Sequence, residues 1–483
     1  MLAVPILGVV VTAASKSPRR LFQTLIGSQV LILTLALVLI SRILRTNSMS
    51  AFSDWLYLDS LGAIVLLIVA LVGLAAAVYS AGYLGHELES GVVGVVELRK
   101  YLFLYHLFVL TMLLASVSGN LTLLWTAVSA TTLASAPLVD FYGSHRPLEA
   151  AWKFIVLTVA GSLIALFGFL LLYASATGVL GGSYNFSVPV LSAVAPHLRA
   201  VPAATGFLLV LVGFGTKAGL APMHSWLPDA HSQAPSPVCA MLSGAELNCG
   251  LLGIFRVYAL ARPAAGPGTV HGALLAFGVL SVAVGVVFLI SQRDFKRLLA
   301  YSSVEQMGVI TLGVGLGGSL AVLGAFLQMF NHALAKSLMF FATGNLLLRF
   351  RSTAIHDVTG AVRQMPATAI VLLAGGLAIA GAPPFGLFIS EFAIIRGAFR
   401  VNQWAFGAVL AALLLIGFLA LFAPFNRMAF GRPGRLEAVG HAELNWLTLL
   451  PAYLLLGAVL TLGVWVPGPL HQLLQGAARV VSQ

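Results

Sequence analysis

The sequence predicts an all-α polytopic membrane protein of about fourteen transmembrane helices, with two inverted five-helix repeats and broken helices 7 and 12. Three observations predict it. Of the 483 residues, 59% are hydrophobic and only 8% charged, and mean hydropathy is +1.00, a composition outside the soluble globular range. Apolar runs long enough to cross a bilayer recur along the whole chain. Two of these runs are interrupted by proline and polar residues at what would be membrane depth, where free backbone is tolerated only beside protein or water.

The runs lie near 2–14, 21–41, 57–80, 101–117, 120–139, 152–177, 204–221, 238–260, 269–291, 300–317, 320–348, 366–396, 403–424 and 446–466. The first is short. The seventh ends in Lys217-Ala-Gly-Leu-Ala-Pro222 and is followed by Met-His224-Ser-Trp-Leu-Pro228-Asp229-Ala-His231. The twelfth is cut by Ala380-Gly-Ala-Pro383-Pro384, with Glu391 just past the cut. The longest polar insert, around 178–200, has room for a surface turn or a strand pair, and no extramembrane domain is expected. The first run lacks a basic leader, since Lys16, Arg19 and Arg20 follow it, so it does not read as a cleavable signal.

Lys and Arg in the connections set an orientation. With Lys153, Arg256 and Arg396, near the ends of their runs, counted with the adjoining connections, odd-numbered connections carry 16 of them, against 8 in the termini and even connections. That bias places the odd loops in the cytoplasm and both termini outside. Lys217 and Lys336 are the basic residues left over, assigned to the interior of spans. The net charge of +11 comes from residues scattered singly between apolar runs. Anionic lipid head groups are therefore the expected counter-charge, and nucleic acid is not expected.

Spans 4–8 and 9–13 each hold five helices with the fourth broken, and Ala218-Gly219 with Pro222 answers Ala380-Gly381 with Pro384. An odd number of helices per unit forces opposite insertion of successive units, a plan that transporters use. The chain divides accordingly into helices 1–3 (1–99), a first repeat (100–262), a second repeat (263–425), and a last transmembrane helix with a tail (426–483).

An ammonium at membrane depth is costly unless it faces a partner or a cavity, so Lys217 is the first candidate residue. Its alternative is a snorkelling lysine at a helix end. His332 and Lys336, four apart, share one helix face, with Asn331 and Ser337 close by. Glu391, if unpaired, would be protonated, and a nearby lysine would ionise it. Glu246 reads either as the partner of Lys217 across the first break or as a packing carboxyl bonded to Asn248 or a serine. Lys296 reads either as a cytoplasmic anchor, like Arg293 and Arg297, or as the point of proton uptake; Glu305 lies about two turns beyond it. Glu149 and Lys153 read as structural, and His106 is left open. His224, Asp229 and His231 supply the polar groups of the first break. Two cysteines, Cys239 and Cys249, make neither a disulfide framework nor a cluster site, and no nucleotide or metal motif appears, so no cofactor is expected.

The stretch from Thr216 to His231 resembles the signature of the antiporter-like membrane subunits of respiratory complex I, group 4 [NiFe] hydrogenases and multi-subunit cation/proton antiporters. Asp294-Phe-Lys-Arg-Leu-Leu-Ala-Tyr-Ser-Ser and Asn331-His-Ala-Leu-Ala-Lys-Ser-Leu-Met-Phe match the same family. Trp125-Thr-Ala-Val-Ser-Ala-Thr-Thr-Leu-Ala-Ser, with Leu148-Glu-Ala-Ala-Trp-Lys153, is most similar to the hydrogenase-4 component F branch. The resemblance implies a proton-translocating subunit in the cell inner membrane, alongside other membrane subunits and a peripheral redox arm that carries any oxidoreductase chemistry. It implies that Lys217 is the central lysine of one half-channel. Lys296, His332 and Lys336 would continue the polar axis, and Glu391 would end the second half-channel. One position departs: Ser129 stands where the family usually has a glutamate that pairs with the seventh-helix lysine. Either Glu246 has taken over that pairing, or the first half-channel is altered. A membrane module for inorganic-carbon uptake and a scaffold with a degenerate channel are the alternative functions.

Overall fold

The computed structural model describes residues 1–431 and 443–482. Helices α1 (Ala3–Ala14), α2 (Pro18–Thr46), α3 (Ser60–Glu89), α4 (Val95–Val117), α5 (Leu121–Val139) and α6 (His145–Leu180) come first. Then come α7 (Val188–Val194), α8 (Ala200–Ala218), α9 (Trp226–Gln233), α10 (Ser236–Met241) and α11 (Leu247–Ala265). They are followed by α12 (Pro267–Ile290), α13 (Phe295–Leu316), α14 (Ser319–Phe350), α15 (Ala361–Gln364) and α16 (Pro366–Ile379). The last are α17 (Gly386–Arg400), α18 (Trp404–Phe430), α19 (Trp446–Val464) and α20 (Gly468–Ser482).

Among the described residues, ten helical stretches are long and apolar enough to cross a membrane. The sequence count goes further for a physical reason. Helices α13 and α14 carry Lys296, Arg297, Glu305, Gln306, Gln328, Asn331, His332 and Lys336, which lowers their hydropathy, while α1 and α16 are short. Both α13 and α14 are named almost throughout among the buried residues. A polar helix is tolerable here because its neighbours, not lipid, surround it. The Ser236–Ala265 stretch is likewise buried through its whole apolar window, whereas α18 is mostly exposed.

Three local expectations change. A strand pair does occur, but as β1 (Ser48–Ala51) against β2 (Leu56–Asp59), antiparallel, and not in the 178–200 insert. That insert holds α7 and a single 3-10 turn. The expected tail contains α20, an amphipathic helix that buries Leu473, Leu474, Ala477, Ala478 and Val481. Its apolar stripe is too narrow to read as a span but suffices to pack along the bundle. Of the basic residues counted in the connection after the thirteenth run, Arg432 and Arg435 lie outside the described residues.

The two breaks are built alike. Helix α8 stops at Gly219, whose φ of 73° needs no Cβ, and Leu220 N donates back to Gly215 O at 2.8 Å. Helix α16 stops at Gly381, φ 78°, and Ala382 N donates to Leu377 O at 3.0 Å. Both are glycine-capped helix ends in which the backbone returns one bond past the cap, and both are followed by a cis X-Pro bond. The groups freed by the first break find partners: Trp226 Nε1 donates to Thr216 O at 2.8 Å, and Ala221 N donates to Ser281 Oγ at 2.9 Å. Unpaired, each would cost several kcal/mol in a hydrocarbon surrounding, on the order of 2–7. The bundle closes tightly around these breaks. A Cβ on Gly213 of α8 would overlap the backbone of Gly161 on α6, the close approach that small residues permit between membrane helices.

A buried axis of charged side chains

The glycine cap of α8 fixes Lys217 in the last helical turn, pointing into protein and 3% exposed. Its ammonium lies 2.5 Å from Glu246 Oε1 and donates to Thr132 Oγ1 at 2.6 Å. Ser135 Oγ donates to the same Glu246 oxygen at 3.2 Å, and the Phe154 ring centroid is 4.8 Å from the ammonium. Glu246 closes a π-helical turn, Leu242–Glu246, between α10 and α11. Its second oxygen is buried with no partner. The pair is therefore ionic on one side and open on the other. Asn248 donates to Gly244 O, not to Glu246, so of the packing-carboxyl alternative only the serine bond, from Ser135, is present, and it stands beside the ion pair with Lys217.

Ser129 sits one turn before Thr132 on α5. It donates to Trp125 O at 2.7 Å and bonds to Ser162. With Thr132, Thr158, Ser162 and Lys217 it lines a cavity of about 10 Å³, close to the smallest space that holds a water. The Ser129 hydroxyl thus turns to its own helix and to α6, leaving the lysine to Thr132 and Glu246.

The N-cap Asp294 starts α13 by accepting from Lys296 N at 2.8 Å and Arg297 N at 2.9 Å, as short polar caps do. That start points Lys296 inward, where Nζ donates to Ala234 O at 2.8 Å and the residue is 2% exposed. Lys296 is not a surface anchor. His231, on α9, is fully buried, stacked on Phe340 at 5.2 Å, with neither ring nitrogen bonded. His224 lies apart from this line, near Phe288 and Tyr301. Asp229 also stands outside it, in a part-exposed knot with Lys153 at 3.2 Å and Arg297 at 2.5 Å. Glu149 joins that knot through Lys153 at 2.8 Å.

On α14, Lys336 donates to Leu299 O and Ser302 Oγ of α13, and no carboxylate pairs with it among the described residues. His332, one turn earlier, is fully buried with both ring nitrogens unbonded. Glu391, just past the second break, accepts from Gln306 Nε2 at 3.2 Å and Gln328 Nε2 at 3.0 Å. Among the described residues no lysine bonds Glu391; two amides stand there instead. Ser390 and Asn331 extend the same network, Asn331 Nδ2 donating to Ser390 Oγ at 3.3 Å.

Sequence reasoning missed three features. Thr132, Ser135, Gln306 and Gln328 supply half of the bonds to the axis described above, but neutral polar residues in a span are common and carry no outward signal. Glu305 is buried on α13 between Ser302 and Gln306. Arg256, counted with a loop, is 3% exposed inside α11 and bonded through two nitrogens to Asp59, the N-cap of α3. Its position within the eighth apolar run was the available signal. His106, left open, bonds Leu102 O at 2.7 Å and Ser28 Oγ at 3.0 Å, away from the axis.

A helical bundle with two capped breaks and a line of buried lysines, histidines and carboxylates defines an antiporter-like membrane subunit. Residues 118–417 match the family described as NADH:quinone oxidoreductase/Mrp antiporter, transmembrane. The chain is 37% identical over 385 residues to a hydrogenase-4 component F homolog of Methylacidiphilum infernorum, covering 78% of this chain and 79% of that one. It is 32% identical over 369 residues to NADH-quinone oxidoreductase subunit N of Desulforudis audaxviator, covering 75% and 70%. Its fold superposes on a chain of the Mrp complex from Dietzia sp. with TM-score 0.86, at 21% identity, covering 100% of this chain and 96% of that one. The chain belongs to the NADH:quinone oxidoreductase/Mrp antiporter family.

Proposed function

We propose that this chain is the proton-translocating subunit of a multi-subunit membrane redox complex of the hydrogenase or complex I type. It sits in the cell inner membrane with both termini outside. About fourteen spans form two inverted half-channels, residues 100–262 and 263–425, preceded by helices 1–3 and followed by a last span and tail. The proton path runs through Lys217, Glu246, His231, Lys296, His332, Lys336 and Glu391. Other membrane subunits adjoin it, and a peripheral arm supplies the redox chemistry.

The observation that carries this reading is the Lys217–Glu246 pair, buried at a helix break with one carboxylate oxygen left open. A buried pair of this kind contributes little to stability by itself, since desolvation offsets the attraction. Its value lies in being switchable. While the pair is closed, the carboxylate holds the lysine charged. A charge arriving elsewhere on the axis draws Glu246 away, and the lysine then releases its proton, because an unpaired ammonium in protein is strongly disfavoured. Ser129 leaves helix α5 without a carboxylate, and Glu246 supplies one from the neighbouring helix instead. The resulting pair has the same chemistry with the carboxylate on a different element.

The test uses the full-length chain with its co-purifying subunits in liposomes, a potassium diffusion potential and an entrapped pH dye. Glu246→Gln keeps the shape and removes the charge; proton flux is expected to fall by about tenfold or more. Unchanged flux would exclude Glu246 as the partner that gates Lys217.

A further inference from the structure

Glu305 is a buried carboxylate on α13, between residues bonded to the second half of the axis, that the path above leaves unused. It lies on the helix that connects the two ends of that half. One turn before it, Ser302 accepts from the Lys336 ammonium; one residue after it, Gln306 donates to Glu391. Glu305 is 3% exposed and carries no hydrogen bond or ion pair among the described residues. Its neighbours on α13 are thus bonded to both Lys336 and Glu391.

Space has been kept for it. The Glu305 backbone and Cβ press on Gly285 of α12, where any side chain would overlap them. Its carboxylate lies against Gly417 of α18, where a Cβ would overlap Oε1. Gly381, the cap of α16, bears the same relation to the Glu391 carboxylate. Two carboxylates therefore each end against a glycine, with Gln306 beside them. A purely structural reading fares poorly. An unbonded carboxyl at membrane depth costs free energy, and a glutamine or leucine would fill the same volume without a titratable group.

We infer that Glu305 is a proton-carrying residue of the second half-channel, receiving the proton released by Lys336 through Ser302 and passing it to Glu391. In the first step the Glu305 carboxylate swings from Gly417 to the Ser302 hydroxyl, one helical turn away, and the Lys336 ammonium gives a proton to that hydroxyl as it gives its own to Glu305; lysine ends neutral and Glu305 ends as the acid. In the second the Glu305 acid delivers its proton to the Glu391 carboxylate, and the Glu305 carboxylate is restored. Charge and protons balance at each step, and no co-reactant is needed. Lys336, with no carboxylate of its own, gains a proton acceptor one helical turn from the hydroxyl it touches. The inference rests on the proton-translocation reading above.

The experiment uses the same liposome flux measurement on four proteins: wild type, Glu305→Gln, Glu305→Asp and Lys336→Met. Glu305→Gln is expected to cut flux by about tenfold or more, and Glu305→Asp, which keeps the carboxyl, to restore a measurable part of it. Infrared difference spectra recorded with and without the imposed potential supply a readout that packing does not move: a protonated-carboxyl band that appears under the potential in wild type and shifts in heavy water should be missing in Glu305→Gln. Wild-type flux in Glu305→Gln with flux lost in Lys336→Met overturns this inference and leaves the translocation reading standing. Undiminished flux in both overturns the translocation reading for this half. An aspartate variant as inactive as the glutamine variant, with the carboxyl band unchanged, assigns Glu305 a packing role and also overturns the inference.

Discussion

Lys217 and Lys336 are both buried lysines of the bundle, one at the capped end of α8 and the other in the middle of α14, and their surroundings differ in kind. Lys217 meets a carboxylate at 2.5 Å and a threonine hydroxyl at 2.6 Å. Lys336 meets a carbonyl and a serine hydroxyl, both neutral. Glu391, the carboxylate of the second cluster, is in turn held by two amides and by no cation. The first cluster thus cancels its charges locally, while the second keeps cation and anion apart on different helices. A closed pair resists losing its proton; a separated lysine and carboxylate exchange one more easily, since neither stabilises the other's charged form at contact range. The difference suits a store at one end and a relay at the other.

Four substitutions, in three tests, sharpen that contrast, in descending order of expected effect. Breaking a buried pair by removing one partner costs about 3–5 kcal/mol, so the Glu246→Gln protein should be less stable as well as slower. Adding Ser129→Glu to it places a carboxylate in the wall of the same small cavity. The double variant should regain most of the lost flux and of the thermal stability in detergent. Failure of both to recover would show that the geometry, not the charge, of Glu246 matters.

In the second cluster, Gln328→Leu removes one of the two amides from Glu391 and one of the acceptors of Ser390, which keeps the carbonyls of its own helix. A lost bond to a charged group is worth about 1.5–3 kcal/mol, so flux should drop severalfold while the fold persists. An unaltered rate would mean that Gln306 alone suffices to hold Glu391. The smallest effect is expected outside the axis. Lys153→Ala dissolves exposed bridges to Glu149 and Asp229, which are worth less than about 1 kcal/mol and screened by salt. Flux and melting temperature should stay within error; a large loss would move the Asp229 knot into the path.

The breaks were legible because glycine and proline act locally: Gly219 with Pro222, and Gly381 with Pro384, end a helix whatever surrounds it. Lys217, Lys336 and Glu391 were legible because a charge inside an apolar run is conspicuous. Partner choice was not. Nothing in the chain near Lys217 says that Glu246 and Thr132 reach it from two other helices. Nor does anything pair Asp59 with Arg256, which lie 197 residues apart. Lys296 read equally as a loop anchor or as a point of proton uptake, and only the Asp294 cap and the Ala234 carbonyl show it turned inward.

The amino-acid sequence determined that this is a membrane protein, where its helices stop, and which titratable groups are too costly to be incidental. Those are matters of composition and of short-range backbone chemistry. The tertiary structure alone decided which charges meet, which stay apart, and which carboxylate is left between them. Those outcomes depend on helices far apart in the chain being pressed together at glycine contacts, at distances where a single turn of helix changes the partner.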